Sequence, residues 1–279
     1  MAEPQRWWRH LLARRMVLVA AILLGLLLLL TLVGPWFLPD PMALKVSQRL
    51  KPPSWAYLAG TDELGRDMAS RLVLGARYSL AIGASTAVLA VLAGTVLGLL
   101  AGFFRRLDGP LMRLVDAMMA FPDILLGIAL VAILGASPVN VVLALSLVYT
   151  PRVARVVRAC ALVIRSLPYV EAARAVGVRS PRLLRVHVLP NLMSPILVQL
   201  SFVFAYALLA EAGLSFLGVG VGADVPTWGT MVAASTPYAE RAVWMLFFPG
   251  LAIVLSAWSL QVLGDGVRDL VDPRLRGAP

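Results

Sequence analysis

Six apolar stretches of about twenty residues each run through this chain, and few folds can accommodate them. They cover residues 16–38, 80–104, 114–134, 139–157, 196–218 and 243–263. A helix needs about 20 predominantly apolar residues to cross the hydrocarbon core of a bilayer. Only 14% of the residues are charged, whereas a soluble domain carries about 25%. The pattern therefore predicts an all-α integral membrane protein with six transmembrane helices.

The first and fourth stretches need separate arguments. Basic residues precede the first one, as in a signal peptide, but its apolar part is too long and no pair of small residues marks a cleavage site. We therefore predict that residues 1–38 are a cytoplasmic N-terminus and a retained first transmembrane helix. The fourth stretch is the weakest, because Pro151 and Arg152 interrupt it.

Lysine and arginine are distributed unevenly between the loops. If the N-terminus is cytoplasmic, eighteen of the 25 basic residues lie on the cytoplasmic side, as the positive-inside rule describes. The sequence thus predicts an inner-membrane protein with both termini in the cytoplasm. The predicted parts are an outer loop at 39–79, a core at 80–264 with a cytoplasmic loop at 158–195, and a cytoplasmic tail at 265–279. Nucleic-acid binding is not indicated, because the basic residues lie in short loops rather than on one polar face.

The sequence contains no motif for catalysis. A phosphate-binding loop needs a lysine on the phosphates, and the only lysines, Lys45 and Lys51, lie in the predicted outer loop. Metalloprotease and serine-hydrolase motifs are also absent from the sequence. We therefore predict no catalytic residue, no bound cofactor and no metal site. The acidic cluster at 62–67 includes Arg66, which favours an ion-pair network or a protein contact over a Ca²⁺ site.

The cytoplasmic loop has a helix–turn–helix pattern over residues 168–195. Pro168 can open a helix, and Glu171 in its first turn suits the positive end of the helix dipole. Gly177 ends this helix, Ser180 with the following proline starts a second one, and Leu189-Pro190 stops it. On these residues alone two interpretations stay open. The first helix docks in a groove of another protein, or it lies in the membrane interface with its arginines reaching the headgroups.

The same residues resemble a known family. Glu171-Ala172-Ala173, Gly177 and Leu189-Pro190 reproduce, with its spacing, the EAA motif of ABC importer permeases. His187 stands where the general pattern has Ile, as is frequent in the peptide branch. Segments 60–80, 211–221, 226–231 and 263–275 are similar to the dipeptide-permease C-type subunit of the dipeptide/oligopeptide/nickel branch.

This resemblance implies a fold, a function and a set of partners. The fold is a five-helix permease core preceded by one N-terminal helix. The function is the passage of di- or oligopeptides through the membrane, with nickel, a nickel chelate or another small solute as the alternative cargo. The implied partners are a second homologous permease, two subunits that bind and hydrolyse Mg-ATP, and an extracytoplasmic substrate-binding protein. Glu171, Ala172, Ala173, Gly177, Leu189 and Pro190 would form the coupling helix that docks on the ATPase.

Other charged and aromatic residues allow narrower predictions. Glu211 lies towards the outer end of the fifth stretch, where a carboxylate is costly in lipid and often functional. It can face the translocation path or have a structural role, and we favour the structural role. Asp116 is predicted to pair with Arg113 on the preceding turn. Trp228 is predicted to be an interfacial anchor.

Overall fold

A computed structural model describes residues 15–271, and this part of the chain is almost entirely helical. The all-α prediction is confirmed. The predicted N-terminal cytoplasmic segment up to residue 14 and the tail from 272 onwards lie outside the described residues. The α-helices are α1 Arg15–Val33, α2 Met68–Phe103, α3 Arg105–Met119, α4 Asp123–Leu134, α5 Pro138–Arg165, α6 Pro168–Ala175, α7 Ser180–Leu183, α8 Leu189–Phe216, α9 Trp228–Ser235 and α10 Val243–Val271. Short 3₁₀ turns cover Gly34–Trp36, Val46–Gln48 and Thr236–Tyr238, and a π turn covers Leu184–Val188.

Four helical segments of the described chain are long and apolar enough to cross a membrane. They are Arg15–Trp36, Met68–Phe103, Ser180–Phe216 and Val243–Asp269. α3 and α4 pass the same test together as a bent pair, which raises the number to five. α5 has 28 residues, or about 42 Å at 1.5 Å per residue. It is therefore long enough to span, although its polar residues make it less apolar than the others.

The predicted third span is not one straight helix, because α3 and α4 meet at 91°. Pro122 has an extended backbone (ψ 131°), and a proline also disfavours the helical conformation in the residue before it. The helix therefore ends at Met119 and restarts at Asp123. As a result, the polar face of α3 lies against α5.

Close backbone packing joins α2 to α5 in the centre of the bundle. A Cβ atom added at Gly94, Gly98 or Gly102 would lie 2.5, 2.6 or 2.7 Å from an atom of α5. Small residues spaced four apart allow two helices to approach closely in lipid, where packing rather than the hydrophobic effect holds them together. α2 and α5 run parallel, because successive glycines contact successively later residues of α5.

The bundle has two ends, which we name by their loops. The basic end carries residues 104–105 and 166–188, and the opposite end carries residues 39–67 and 217–242. At the opposite end α2 begins at Met68, about three turns before the predicted stretch. Asp67 explains this start, because its carboxylate accepts a hydrogen bond of 2.8 Å from the backbone N–H of Ser70. At the basic end α10 continues to Val271, so the predicted boundary at 264–265 lies inside a helix.

The loop at 60–67 is held by the predicted ion-pair network. The Asp62 carboxylate lies 2.6 Å from Nε of Arg66 and 3.5 Å from Nε of Arg71, and Glu63 lies 2.8 Å from Nη2 of Arg66. Nε1 of Trp244 donates a hydrogen bond of 3.0 Å to the carbonyl of Thr61. These contacts fasten the loop to α2 and α10. Among the described residues, no three His, Cys, Asp or Glu side chains are placed to hold a metal ion.

Candidate functional site

α6 begins as its sequence predicts. Leu167 has an extended backbone (ψ 140°), and Pro168 follows it in the first turn. Glu171 lies in that turn with its side chain exposed. Val170, beside it, is completely buried in the main apolar cluster of the bundle. The helix is therefore anchored on one face and open on the other.

Gly177 ends α6 with a Schellman motif. Its φ is +84°, which is costly for a residue with a Cβ atom. Its N–H donates to the carbonyl of Arg174 at 3.0 Å, and the N–H of Val178 donates to the carbonyl of Ala173 at 3.1 Å. A Cβ atom at Gly177 would meet no atom within 4 Å. The glycine is thus required by the backbone conformation and not by lack of space.

The second half of the loop differs from the prediction. Arg179, rather than Ser180, is the N-cap of α7. Leu189-Pro190 does not end a helix but forms the first turn of α8. The π turn Leu184–Val188 directly precedes α8. Pro190 has no N–H to donate, so the wider turn, in which Leu189 N–H bonds to the carbonyl of Leu184, carries the helix past it. One nearly continuous helical segment therefore runs from α7 through the π turn into α8.

Buried and exposed residues alternate along this loop. Val170, Leu183 and Val188 are buried in the same apolar cluster, which also contains residues of α5 and α8. On the outside, Glu171 and Ala172 are exposed, as are Gly177 and Pro190, and the side chain of Val176 is 81% exposed. Ala173 and Leu189 are partly buried against the cluster. The predicted coupling residues thus lie on one loop, and most of them form an open surface, which we call the α6 surface.

A basic cleft of about 630 Å³ lies beside the α6 surface. Nη1 of Arg165 donates to the carbonyl of Gly102 at 2.7 Å, and the Arg174 guanidinium lies 5.4 Å from the ring centre of Phe103. These contacts connect the ends of α2 and α5 to α6. The cleft is lined by Phe103, Phe104, Arg105, Arg106, Arg165, Ser166, Glu171, Arg174 and Ser180.

Glu211 lies near the opposite end and is completely buried. Its Oε1 accepts a hydrogen bond of 2.8 Å from the hydroxyl of Ser215, and its Oε2 accepts one of 3.3 Å from the hydroxyl of Ser79. The Ser79 oxygen in turn accepts from the backbone N–H of Trp228 at 3.1 Å. Glu211 therefore connects α8 to α2 and, through Ser79, to the start of α9.

Trp228 is not an exposed anchor at the membrane surface. Its side chain is 1% exposed, and its Nε1 donates to the carbonyl of Leu72 at 3.0 Å. Thr227 and Thr230 form a capping box at the start of α9. No local feature of the chain indicated that this short helix would pack into the bundle, because tryptophan is common both at interfaces and in cores.

A row of three ion pairs along α5 was not predicted from the sequence. The pairs, each between an arginine of α5 and an aspartate of α3 or α4, are Arg158–Asp108, Arg155–Asp116 and Arg152–Asp123. Asp116 therefore pairs with Arg155, at 2.6 Å, and not with Arg113. The error has a physical cause. The bend after α3 brings its polar face against α5, and local spacing alone does not report that fold-back.

The chain is similar to proteins of known class over nearly its whole length. The family described as "Binding-protein-dependent transport system inner membrane component" matches residues 94–277, and the N-terminal transmembrane domain of oligopeptide transport permease C matches residues 5–53. A putative peptide transport system permease protein of Brucella suis is 46% identical over 96% of this chain and 91% of its own length. The di/tripeptide transport system permease protein DppC of Pseudomonas aeruginosa is 43% identical over 98% and 93%. A probable D,D-dipeptide transport system permease protein of Escherichia coli is 38% identical over 94% and 89%.

Proposed function

This chain belongs to the family of inner-membrane components of binding-protein-dependent transport systems, and we propose that it is a permease subunit that carries di- and oligopeptides across the cytoplasmic membrane. The names of the relatives in Brucella suis, Pseudomonas aeruginosa and Escherichia coli support peptides as the cargo. None of those names favours nickel, the alternative cargo.

The observation that carries the proposal is the α6 surface. Its exposed residues lie on a short helix whose other face is fixed by Val170 in the core of the bundle. A helix that is open on one side and rigidly seated on the other can receive a partner and pass its movement on. The partner in this proposal is one of two subunits that bind Mg-ATP and hydrolyse it, since this chain has no phosphate-binding loop.

The connection from α6 to the spans runs through packed helices. Val170 packs in the same cluster as residues of α2, α5 and α8, and the π turn joins the loop to α8. A displacement of α6 by the ATPase would therefore move α8 and α5 together. ATP would drive this change because it binds one conformation of the assembly more tightly than the other.

The rest of the proposed assembly follows from the family. A second homologous permease completes the pore, and a substrate-binding protein delivers cargo at the opposite end of the bundle, which is extracytoplasmic in this orientation. Both termini and the α6 surface then lie in the cytoplasm. The excess of Lys and Arg on that side supports this orientation.

ATP hydrolysis by the whole importer tests the proposal. The chain is reconstituted in proteoliposomes with its second permease, its ATPase subunits and its binding protein. Hydrolysis is compared for binding protein that is empty, loaded with a dipeptide or loaded with nickel. We expect stimulation by the dipeptide-loaded protein alone, together with uptake of labelled dipeptide.

Two other results would contradict the proposal. Stimulation by nickel alone would assign the alternative cargo. Absence of stimulation by either cargo, in a complex shown to be intact by size-exclusion chromatography, would reject peptide transport as the function. The α6 surface is tested separately by Glu171→Lys, which reverses one exposed charge and leaves the buried face unchanged.

A further inference from the structure

Of the three ion pairs along α5, Arg152–Asp123 lies farthest from the basic end. Arg152 is near the middle of α5, about 20 Å from each end. Its partner Asp123 is the first residue of α4, after the 91° bend. The two side chains are 41% and 49% exposed on the surface of the chain. Charged groups on a membrane-spanning bundle are costly where they meet lipid, and they normally face a protein partner or a water-filled cavity.

The distance between the charged groups is also longer in this pair than in the other two. Nη2 of Arg152 lies 3.2 Å from Oδ2 of Asp123. By contrast, Arg158 makes two hydrogen bonds to Asp108, of which the Nη2–Oδ2 bond is 2.8 Å long. Among the described residues, Arg152 donates only the one hydrogen bond. Most donors of its guanidinium fork therefore remain open to another acceptor.

Two tyrosines adjoin the pair on α5 and α8. The Arg152 guanidinium carbon lies 5.1 Å from the ring centre of Tyr206, whose side chain is 40% exposed. The hydroxyl of Tyr149 donates to the backbone carbonyl of Tyr206 at 3.3 Å. This bond and the stacked position of Arg152 fix the guanidinium from one side. The Arg152 side chain nevertheless stays 41% exposed, so part of the fork is open.

We infer that Arg152 and Asp123 form a subsite in the translocation path that receives the charged ends of a peptide. A peptide carboxylate matches the planar guanidinium, and a peptide ammonium matches the aspartate carboxylate. The inference rests on the proposed function, because it needs a zwitterionic cargo. No covalent step is involved.

The chemistry fits passage through a low-dielectric region. A free peptide carries both a positive and a negative end, and moving either alone into the membrane is expensive. When the peptide enters, the direct ion pair opens and two new pairs replace it. Charge stays balanced at each stage. The contact that opens is, at 3.2 Å, the longest of the three ion pairs along α5.

The test measures dipeptide uptake by the complete reconstituted importer. The variants are Arg152→Gln, Asp123→Asn and the double variant that carries both. The matched control is the double variant Arg155→Gln and Asp116→Asn, which removes the neighbouring ion pair at 2.6 Å. We expect at least a tenfold loss of uptake in all three Arg152 and Asp123 variants, and a change of less than twofold in the control. Complex assembly is checked for each by co-purification.

The double variant separates recognition from a purely structural role. If the pair only holds α4 against α5, each single variant leaves a lone charge and the double variant removes it. Uptake would then recover in the double variant, and that result would overturn the inference. Uptake by the single variants at the level of the control would overturn it as well. If the unaltered importer itself fails to take up dipeptide, the result contradicts the proposed function rather than the role of these two residues.

Water access to the subsite gives a second measurement. Tyr206→Cys is made with Cys160→Ser, so that position 206 carries the only thiol of this chain. Leu29→Cys on α1, whose side chain is 55% exposed, is the lipid-facing control. A charged thiol reagent reacts with a thiolate, which forms only where water is present. We expect labelling at 206, slowed at least threefold by saturating dipeptide-loaded binding protein, and none at 29. No labelling at 206, whether ATP is present or absent, would overturn the inference.

Discussion

At the scale of single residues, the α6 surface depends on one backbone angle. Gly177 has φ +84°, and the two hydrogen bonds of the Schellman motif form only with that angle. The sequence predicted the end of the helix at this glycine, because few other residues adopt the left-handed region. The motif in turn sets the direction in which the chain returns to the bundle.

Replacement of Gly177 separates conformation from packing. Gly177→Ala forces a Cβ atom into the left-handed region, at a cost of about 1–2 kcal/mol, whereas Gly177→Asn costs less because asparagine tolerates it. We expect dipeptide uptake to fall in the order Gly, Asn, Ala. Gly177→Pro should uncouple ATP hydrolysis from uptake, because proline cannot reach a positive φ. Gly109→Ala on α3, also without a neighbour within 4 Å, is the control. Equal uptake by all the variants would exclude a role for the angle.

Glu211 illustrates what a sequence cannot report. An acidic residue in an apolar stretch is visible at once, but its direction is not, because helix rotation depends on neighbours far along the chain. Ser79, which binds it, is 132 residues away. The complete burial of Glu211 favours the structural role that we preferred from the sequence.

Two substitutions of Glu211 test that role. Glu211→Gln keeps an acceptor for one of the two serine hydroxyls, so we expect assembly and dipeptide uptake to stay close to those of the unaltered importer. Glu211→Leu leaves both hydroxyls unpaired, at about 1–3 kcal/mol for each buried group. The melting temperature of the purified complex in detergent should therefore fall clearly for Leu and little for Gln. Loss of uptake in the Gln variant with normal assembly would instead place the carboxylate in the translocation path.

At the scale of helices, length was predictable and contacts were not. Apolar runs indicated the spans because a helix in lipid must be apolar over about 20 residues. The break at Pro122 removed the straight third span, and only the folded chain shows that α3 then pairs with α5. The Arg152–Asp123 pair was missed for the same reason. Asp123 and Arg152 were visible as charges within predicted spans, but nothing local indicated that they would meet.

The contact between α2 and α5 yields a prediction about helix packing. Gly98→Ala places a Cβ atom 2.6 Å from the carbonyl oxygen of Ala154, and relief of such overpacking costs about 1–3 kcal/mol. Gly25→Ala on α1 is the matched control, because no atom lies within 4 Å of its added Cβ. We expect the first variant to lower the melting temperature of the complex and the second to leave it unchanged or raise it slightly. Equal melting temperatures for the two variants would mean that α2 and α5 can move apart at Gly98 without loss of stability.

At the scale of the whole molecule, the two ends of the bundle carry different surfaces. The basic end presents the α6 surface and the adjoining cleft, and the opposite end carries the 60–67 loop and α9, both fastened to α2. The proposed subsite lies between them on the same helix, α5, that ends beside the cleft. In the proposed mechanism, a movement imposed on α6 would reach Arg152 through one continuous helix. This arrangement requires that the basic end face the cytoplasm, where ATP is available.

That orientation can be measured directly on intact cells. Two single-cysteine variants are made in a chain with Cys160→Ser, one with Trp55→Cys, whose native side chain is 99% exposed at the opposite end, and one with Val176→Cys, 81% exposed on the α6 surface. A membrane-impermeant thiol reagent should label position 55 at once and position 176 only after permeabilisation. The excess of basic residues at the α6 end is the physical reason, because positive loops resist transfer across the membrane. Both positions are strongly exposed in this chain, and the cells used lack the ATPase subunits that would cover the α6 surface, so a difference in labelling reports the side of the membrane and not burial. The reverse pattern would place the α6 surface outside, away from any source of ATP, and would exclude it as the docking site for an ATPase.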